Sequence, residues 1–400
     1  MSQALVTMMK VLLNDGMDEE GIKLFENAGI ETDNSKLDPK GLVKQIGKFD
    51  ALVVRSATKV TREVIESGIK GKLKVIGRAG VGTDNIDINA AIENGVIVKS
   101  APFGNTNATA ELALALMMSV SRRVAQGHCS LKKGVWRKKC FEGTELSGKT
   151  LGIIGCGRIG QRLSELTVGF NMETIGYDPV AKVSSRIKLV TKEEVLSKAD
   201  YVSIHVNGNE NVIGEKELWL MKPTAYLINT ARGRNVDGKA LYNALESGGI
   251  AGAALDVFEE EPTQENSEFR NELRKLDNIV FTPHLGASTV EAQMKTSVEM
   301  ATVVIDYLVR GDFSNAVNVG ESIEFEEKPF YPLFVYHADK PGMFAKIDKV
   351  LADNGVNIRE NPSRQIGEGC AIAIYLVHQK VGKDVIDELN GLEGVIRAQT

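Results

Sequence analysis

The stretch TLGIIGCGRIG at residues 150–160 decides the fold. A short apolar strand pattern leads directly into three glycines with the spacing Gly-x-Gly-x-x-Gly, and a helical pattern follows. Gly155 permits a tight turn, Gly157 lets the backbone approach a pyrophosphate, and Gly160 lets the helix pack on the strand. The N-terminus of that helix offers free N–H groups and a positive dipole end to phosphates. The segment therefore predicts a dinucleotide-binding unit.

The next strand pattern, TIGYD, ends in an acidic residue, Asp178, eighteen residues past Gly160. A carboxylate there can accept hydrogen bonds from both ribose hydroxyls and would repel a 2′-phosphate, so the pattern favours NAD over NADP. Arg158 and Ile159 complete the candidate cofactor residues of this segment. A turn with a solvated aspartate is the alternative.

Outward from this segment, strand patterns alternate with longer amphipathic patterns, which favours parallel sheets covered by helices. One series precedes the loop, with strands predicted at 10–14, 51–55, 73–77 and 96–100. The second series begins near Lys149, and its strands are almost continuously apolar, as expected when both faces of a sheet are buried. The sequence predicts an α/β fold with two doubly wound, Rossmann-like parallel-sheet domains, one inserted in the other, plus a C-terminal βαββαβ unit.

Two long helical patterns and a change in composition place the domain boundaries. A helix over 106–124 is apolar almost all round and is expected to be buried, and 288–310 returns the chain to the first domain. The segment 318–329 has no helical period and carries four glutamates, which suits a linker. The predicted domains are a discontinuous first domain, an inserted nucleotide-binding domain and a C-terminal unit, at 1–102 with 288–320, at 103–287 and at 330–400.

Composition excludes several classes of function. The 400 residues carry 48 Lys and Arg against 53 Asp and Glu, a net charge of −5 without a long basic block, which argues against nucleic acid or a membrane as partner. No apolar run reaches the ~18 residues of a membrane-spanning helix, and the N-terminus lacks a signal-peptide layout. The cysteines are too scattered for a disulfide framework or a metal site, so we expect a cytoplasmic protein with no bound metal and four free thiols, Cys129, Cys140, Cys156 and Cys370.

Three polar side chains each follow an apolar strand of the second series: Arg232 in INTARGRNVD, Glu261 in ALDVFEEEP and His284 in FTPHLGAST. Ligands of such folds bind outside the carboxyl ends of the strands, so the three should face one crevice. An arginine can hold a carboxylate, and a histidine can take a hydroxyl proton as hydride leaves the same carbon. A glutamate paired with that histidine would fix its tautomer and raise its pKa. Taken singly, a surface arginine, a solvated acid and a capping or core histidine are the alternatives.

The segments GCGRIG, NTARGRNVD, DVFEEEP and TPHLGAST resemble the signature segments of the D-2-hydroxyacid dehydrogenase family. Within that family, VVRSATKVT, GRAGVGTDNID and the C-terminal unit are similar to the phosphoglycerate dehydrogenase group. The resemblance covers essentially the whole chain. It implies an NAD-dependent oxidoreductase that oxidises 3-phospho-D-glycerate to 3-phosphohydroxypyruvate, the first step of L-serine biosynthesis.

On this resemblance, His284 is the general acid and base, Glu261 is its partner, and Arg232 clamps the substrate. The further cofactor residues that it implies are Thr106, His205, Thr230 and Asp256. The implied substrate residues, among which the amides of residues 80–82 form an anion nest, are Arg55, Ser56, Arg78, Gly80, Val81, Gly82 and Asn105. A basic loop either reaches a neighbouring subunit's active site, as in some relatives, or is simply solvated: Trp136, Arg137, Lys138 and Lys139.

The C-terminal unit resembles an ACT domain in the segments HADKPGM and NGVNI. This implies an effector site for L-serine between two such units, near His337, Asp339 and Asn357. Asp339 stands where serine-inhibited bacterial members carry an amide, so a dimerisation module without an effector is the alternative. The family also implies a homodimer, or a homotetramer that uses both the helix at 106–124 and the C-terminal unit.

Two other functions are alternatives. Another D-2-hydroxyacid dehydrogenase would act on hydroxypyruvate, glyoxylate or D-lactate, but an unphosphorylated substrate does not need the extra cations of Arg55 and Arg78. A non-enzymatic NAD(H)-sensing scaffold would keep the same three polar residues, but the chain has no basic tail and carries the ACT-like unit. Both features argue against the scaffold.

Overall fold

The computed structural model describes residues 9–180, 186–208, 210–262, 266–319, 331–366 and 369–400. The chain divides into two compact units. The inserted unit is the continuous stretch Asn105–Gln293, and the split unit comprises the residues up to Gly104 and from Met294 onward. From residue 320 on, the predicted linker at 318–329 lies outside the described residues.

The split unit begins with a five-stranded parallel sheet in the order β2-β1-β3-β4-β5. Its strands are β1 Lys10–Leu13, β2 Glu31–Asp33, β3 Ala51–Val54, β4 Val75–Arg78 and β5 Ile97–Ser100. Its helices are α1 Glu19–Asn27, α2 Pro39–Gln45, α3 Arg62–Ile69 and α4 Ile88–Glu93. The sequence pattern does not predict β2, because ETD has no apolar alternation and the strand forms by pairing with β1 at the sheet edge.

Aspartates start three of these helices. The side chains of Asp18, Asp38 and Asp87 accept hydrogen bonds from backbone N–H groups in the first turns of α1, α2 and α4. Such caps satisfy N–H groups that have no partner inside the helix. The apolar sides of α2, α3 and α4 then bury one face of the sheet, whereas α1 packs on the other face through Phe25.

The inserted unit is built on a seven-stranded parallel sheet in the order β12-β11-β10-β9-β6-β7-β8. Its strands are β6 Thr150–Ile154, β7 Glu173–Tyr177, β8 Lys188–Leu189, β9 Tyr201–Ile204, β10 Tyr226–Asn229, β11 Gly252–Leu255 and β12 Ile279–Phe281. Its helices are α5 Thr106–Ser121, α6 Val124–Lys132, α7 Arg158–Leu166, α8 Lys192–Lys198, α9 Glu215–Leu220 and α10 Gly238–Glu246. Helices α5 and α7 cover one face and α8 to α10 the other, which confirms the predicted doubly wound arrangement.

The long apolar helix is shorter and less buried than the sequence predicts. Helix α5 ends at Ser121, and Arg123 then adopts a left-handed conformation with φ of 50° before α6 begins. Within this chain, Glu111, Ala115 and Met118 form an exposed stripe along α5. An apolar composition all round therefore predicts burial that the single chain does not provide.

The split unit ends in an antiparallel sheet in the order β14-β16-β13-β17, with β15 also paired to β16. After the long helix α11, Val290–Arg310, its elements are β13 Tyr331–Ala338, α12 Met343–Asp353, β14 Ile358–Glu360, β15 Ser363–Gln365, β16 Cys370–Val377, α13 Lys383–Asn390 and β17 Val395–Gln399. This is the predicted βαββαβ order, except that the second strand breaks into β14 and β15 around Pro362. Proline has no N–H for the ladder, so it interrupts the strand.

The antiparallel sheet shares a hydrophobic core with the rest of the split unit. Helices α12 and α13 cover one of its faces, and the other face packs on α11 in the same cluster as β1, β3 and β4. At the centre, the ring of Phe334 lies 5.9 Å from that of Tyr307 and 5.2 Å from that of Phe313, between ring centroids. Residues 331–399 are thus packed into the split unit rather than merely attached to it.

We expect Phe334→Ala to lower the free energy of unfolding of the split unit by about 3–5 kcal/mol, because it leaves a cavity in this core. Phe334 is only 4% exposed. Urea unfolding followed by circular dichroism measures the loss, and amide hydrogen exchange should show lost protection in α11. The control Ile396→Ala, at a side chain 36% exposed, should cost less than ~1 kcal/mol. Unchanged protection of α11 in Phe334→Ala would contradict the shared core.

Candidate active site

The predicted cofactor and catalytic residues of the inserted unit lie along one edge of its sheet. Parallel strands all end at the same edge, so the residues that follow them come together there. In the order of the strands across the sheet, the residues at or just past the strand ends are His284, Asp256, Thr230, His205, Gly155 and Asp178.

The three glycines of the loop each have a distinct packing environment. Gly155 has φ of 92°, and a Cβ there would lie 2.6 Å from backbone atoms of His205. A Cβ at Gly160 would lie 2.6 Å from the Gly155 carbonyl oxygen and 2.9 Å from Ile153 Cγ2. Gly157 has open space around it. Packing therefore requires the first and third glycines, and the second leaves the backbone open to a ligand.

Asp178 is held beside this loop. Its carboxylate accepts hydrogen bonds from the N–H of Cys156 at 2.8 Å and from the N–H of Val180 at 2.9 Å. The first bond ties the end of β7 to the glycine loop after β6. The carboxylate is thus fixed at the strand end where the sequence predicts a ribose contact.

Six buried polar side-chain atoms of the inserted unit have no hydrogen-bond partner among the described residues. Two of them, His205 Nδ1 and Thr230 Oγ1, belong to residues at the strand ends, and a third, Asn105 Oδ1, belongs to the residue that precedes α5. Such atoms are rare in folded proteins and are satisfied by ordered water or by a ligand. The other ring nitrogen of His205 lies 2.9 Å from the Ser203 hydroxyl oxygen, and burial lowers the pKa of this histidine to about 4. His205 is therefore a neutral hydrogen-bonding group at pH 7. With the open glycine loop, these residues fit a dinucleotide.

His284 and Glu261 form a hydrogen-bonded pair. His284 Nδ1 lies 2.8 Å from Glu261 Oε2, and Glu261 Oε1 accepts from the N–H of Phe258 at 3.0 Å. The bond to Glu261 raises the pKa of His284 above its usual 6.5, although burial opposes the shift. Burial works to raise the pKa of Glu261, but the bond and charge of His284 outweigh it and lower that pKa. The pair leaves Nε2 of His284 to exchange a proton with a substrate.

The loop that carries His284 is anchored on Asp256. The buried Asp256 carboxylate accepts hydrogen bonds from the Thr282 hydroxyl at 2.6 Å and from the N–H groups of Leu285 at 2.7 Å and Gly286 at 2.9 Å. Burial raises the pKa of Asp256, and these three bonds oppose the shift. His284 itself has φ of 56°, a conformation that the loop must impose.

Arg232 adjoins this pair. Its guanidinium donates to the Ala231 carbonyl oxygen at 2.8 Å. Burial and the His284–Glu261 hydrogen bond have the larger effects on the two pKa values of the pair. The positive charge of Arg232 lowers both pKa values by a smaller amount. The structure thus brings the three predicted catalytic residues together within the inserted unit.

The predicted substrate cations lie in the split unit. Arg55 directly follows β3, and Arg78 ends the neighbouring strand β4, where it pairs in register with Val54. Burial lowers the pKa of Arg55, and the charges of Asp15 and Asp18 oppose the shift. Two guanidinium groups therefore occupy adjacent strand ends at the carboxyl edge of this sheet, with the exposed Ser56 next to them.

Two residues that position this edge, Asp15 and Asn85, were not predicted from the sequence. The Asp15 carboxylate accepts from the N–H of Arg55 at 2.7 Å and from the N–H and hydroxyl of Thr58. The Asn85 amide donates to the carbonyl oxygens of Arg55 and Thr58, both at 2.7 Å. Each lies in a loop that follows β1 or β4, and this position past a strand end was the available signal.

The anion nest predicted over residues 80–82 has fewer free amides in the structure than the sequence suggests. The Gly80 N–H donates to the Arg78 carbonyl oxygen at 2.7 Å, so it is already used within the chain. Gly80 has φ of 147°, and a Cβ there would collide with the Arg78 guanidinium. The candidate nest therefore reduces to the amides of Val81 and Gly82, and the role of Gly80 is to let Arg78 fold over it.

The remaining predicted residues fall into two groups. In the C-terminal part, His337 is buried with Nδ1 on the Ala338 carbonyl oxygen at 2.9 Å, and its buried Nε2 has no partner among the described residues, whereas Asp339 and Asn357 are exposed. In the inserted unit, all four residues of the basic loop at 136–139 are exposed.

Comparison with known proteins identifies the family. Residues 114–286 match the domain described as D-isomer specific 2-hydroxyacid dehydrogenase, NAD binding domain. The hydroxypyruvate reductase of Thermotoga maritima is 40% identical over 304 residues, which cover 75% of this chain and 98% of that protein. This chain belongs to the D-isomer specific 2-hydroxyacid dehydrogenases. The inserted unit holds the NAD-binding domain of the family.

Other proteins similar to this chain differ from it in length. The D-3-phosphoglycerate dehydrogenase of Methanocaldococcus jannaschii is 45% identical over 322 residues, which cover 78% of this chain but 60% of that protein. The chain thus matches less than two thirds of that relative. A solved acyclic imino acid reductase in complex with NADPH and D-Arg is 30% identical with a TM-score of 0.68, covering 79% of this chain and 100% of that one.

Membrane-spanning helices and metal sites were assessed for the described residues. No helix among them is both long and apolar enough to cross a membrane. No group of three or more His, Cys, Asp or Glu side chains in the same ranges is placed to hold a metal ion.

We expect Glu261→Gln to move the pH dependence of alcohol oxidation to lower pH. His284 must be neutral to accept a proton, so kcat/KM should rise as pH passes its pKa, which the Glu261 bond holds above 6.5. Replacing the carboxylate by an amide removes that cause, so the rising limb shifts downward, while kcat falls on the order of 100-fold because the ring loses its charged partner. Steady-state rates between pH 5.5 and 9.5 measure both effects.

His284→Gln is the matched comparison. It should lower kcat at least ~100-fold at every pH, abolish the rising limb and leave NAD binding intact by fluorescence titration. An unshifted limb in Glu261→Gln, or near-wild-type turnover in His284→Gln, would contradict the assigned acid–base pair.

Proposed function

We propose that this chain is an NAD-dependent oxidoreductase that converts 3-phospho-D-glycerate to 3-phosphohydroxypyruvate, the first step of L-serine biosynthesis. The observation that carries the proposal is the pair of guanidinium groups, Arg55 and Arg78, at adjacent strand ends of the split unit. A substrate with a phosphate as well as a carboxylate needs more cations than Arg232 alone supplies. Relatives named D-3-phosphoglycerate dehydrogenase support the same choice.

In the proposed reaction, NAD bound at the glycine loop supplies the hydride acceptor. Arg232 holds the substrate carboxylate with its planar guanidinium. Nε2 of His284 takes the hydroxyl proton as the hydride leaves the same carbon, and Glu261 stabilises the imidazolium that results. In the reverse direction the same imidazolium returns the proton, so reduction should weaken as pH rises above the pKa of His284.

A second candidate is reduction of hydroxypyruvate. The observation that favours it is the Thermotoga maritima relative, which the chain matches over 98% of its length. Hydroxypyruvate has the same carboxylate and carbonyl but no phosphate. The two functions therefore differ in how much the cations of the split unit contribute.

We expect Arg78→Gln to raise the KM for 3-phosphohydroxypyruvate about 10- to 100-fold while changing the KM for hydroxypyruvate less than ~3-fold, since a charge-assisted hydrogen bond contributes ~1.5–3 kcal/mol. NADH oxidation at 340 nm measures both. Lys36→Gln, which removes an exposed charge of the same unit, is the control and should change neither. Equal losses on both substrates, or faster turnover of hydroxypyruvate by the unmodified enzyme, would favour the second candidate.

We propose a homodimer formed through the inserted unit. Large apolar side chains on α5, α6 and the loop after them are exposed in the single chain, among them Met118 at 41%, Val124 at 57% and Leu131 at 57%. Trp136, in the basic loop, is 80% exposed. Exposed apolar clusters of this kind mark association surfaces. We also propose a cytoplasmic location, because all four cysteines are free thiols.

We further propose that residues 331–399 form an ACT-like regulatory unit that responds to L-serine. The buried Nε2 of His337, which has no hydrogen-bond partner in the described part of the chain, supports a polar ligand near β13, and the exposed Asp339 can meet its ammonium group. A serine titration of the oxidation rate should show saturable inhibition that Asp339→Ala weakens about tenfold. The exposed Asp353→Ala on α12 is the control. A flat titration curve would leave the unit a purely structural role.

A further inference from the structure

A cleft of about 790 Å³ lies within the split unit, between the parallel sheet and the C-terminal unit. One wall comes from the residues that precede β1, β3 and β4, and the other from β17 and the start of α13. Arg55 and Arg78 stand at the opposite, carboxyl ends of the same strands. Lys74 directly precedes β4 and Arg78 is its last residue, so the two residues lie about 13 Å apart along the strand. The cleft is therefore separate from the candidate substrate cations.

Positive charge dominates the walls of this cleft. Five cationic side chains line it: Lys72, Lys74, Lys380, Lys383 and Arg397. Among the described lining residues, Asp50 is the one carboxylate side chain, and it already accepts the N–H of Lys10 at 2.9 Å. Burial lowers the pKa of Lys74, and the charges of Arg397 and Lys380 lower it further while Asp50 opposes them. Lys74 Nζ donates to the Thr400 backbone oxygen at 2.9 Å, and the other four cations outnumber the single carboxylate side chain among the described residues of the cleft.

Two polar atoms on β17 lack partners. Nη1 of Arg397 and Oε1 of Gln399 are buried without a hydrogen-bond partner among the described residues. Gln399 is only 6% exposed, and its Nε2 is held on the Tyr307 hydroxyl oxygen at 3.2 Å. The two residues are two apart on a strand, so their side chains leave it on the same face. Both residues line the cleft, and each has one buried polar atom that a bound ligand could pair with.

The cleft also has the shape and walls of a small-molecule site. Its volume falls within the ~300–1,000 Å³ of ligand pockets. Met9, Val381 and Ile386 supply apolar surface between the charges. Helix α13 begins at Lys383 on the cleft wall, and its N-terminal end adds a positive dipole.

We propose that this cleft binds a small organic oxyanion with a charge of two or more, carried by phosphate or carboxylate groups. The lysines neutralise the charge, Arg397 forms a directed hydrogen bond to an oxygen, and Gln399 accepts from a hydroxyl of the ligand. The net charge of the chain, −5, does not indicate this site, because the chain as a whole is acidic.

Calorimetric titration of the full chain with pyrophosphate and with citrate tests this, at constant ionic strength. The chain carries Arg78→Gln so that the candidate substrate cations contribute less. We expect one saturable site per chain for the preferred probe, pyrophosphate if the ligand is a phosphate and citrate if it is a polycarboxylate. Lys380→Gln with Lys383→Gln should weaken binding at least ~10-fold, and so should Arg397→Gln.

The control is Lys44→Gln with Lys349→Gln, two exposed lysines outside the cleft that change the net charge equally. It should alter affinity less than ~2-fold. Absence of saturable binding for both probes, or equal weakening by the control pair, would overturn the proposal. Should Arg397→Gln fail to fold, the exposed Lys380 and Lys383 still decide the outcome.

Discussion

The buried carboxylate of Asp256 is the interaction on which the candidate active site depends. It follows β11 and accepts a hydroxyl and two N–H groups from the loop after β12, while its own carbonyl oxygen accepts the N–H of His284 at 2.8 Å. These bonds hold His284 at positive φ, with its ring on Glu261. A carboxylate with no exposure is costly unless its acceptor positions are filled. The loop fills them, so burial and loop geometry stabilise each other.

Local sequence signals predicted much of this architecture because the signals are periodic. Apolar runs identified the strands of both parallel sheets except β2 and the two-residue β8, and glycine spacing identified the loop after β6. The failures have physical causes: β2 is polar and exists by pairing at an edge, and the second strand of the C-terminal unit is cut by Pro362. The N–H of Gly80 bonds to Arg78, which spacing alone does not reveal.

The polar residues of the site also divide into those that the sequence predicts and those that it does not. Arg232, Glu261 and His284 were predictable because each follows a strand and has a chemistry that suits its place. Asp15 and Asn85 act through backbone groups of the Arg55 loop, and their position past a strand end is the one sign of this role in the sequence. Association surfaces are a third case, since the apolar composition of α5 predicted burial that a single chain does not show.

The order in which the chain visits its two units has a consequence for synthesis. The core of the split unit joins β1 and β3 to α11 and to Phe334, so one face of the first sheet lacks these packing partners until α11 and β13 are made. The inserted unit is continuous and can fold as soon as it emerges. At ~5–20 residues per second, the apolar face of the first sheet waits roughly 10–40 s for its cover. A slow stretch of translation between β5 and α11 would lengthen the exposure of this apolar face in the nascent chain.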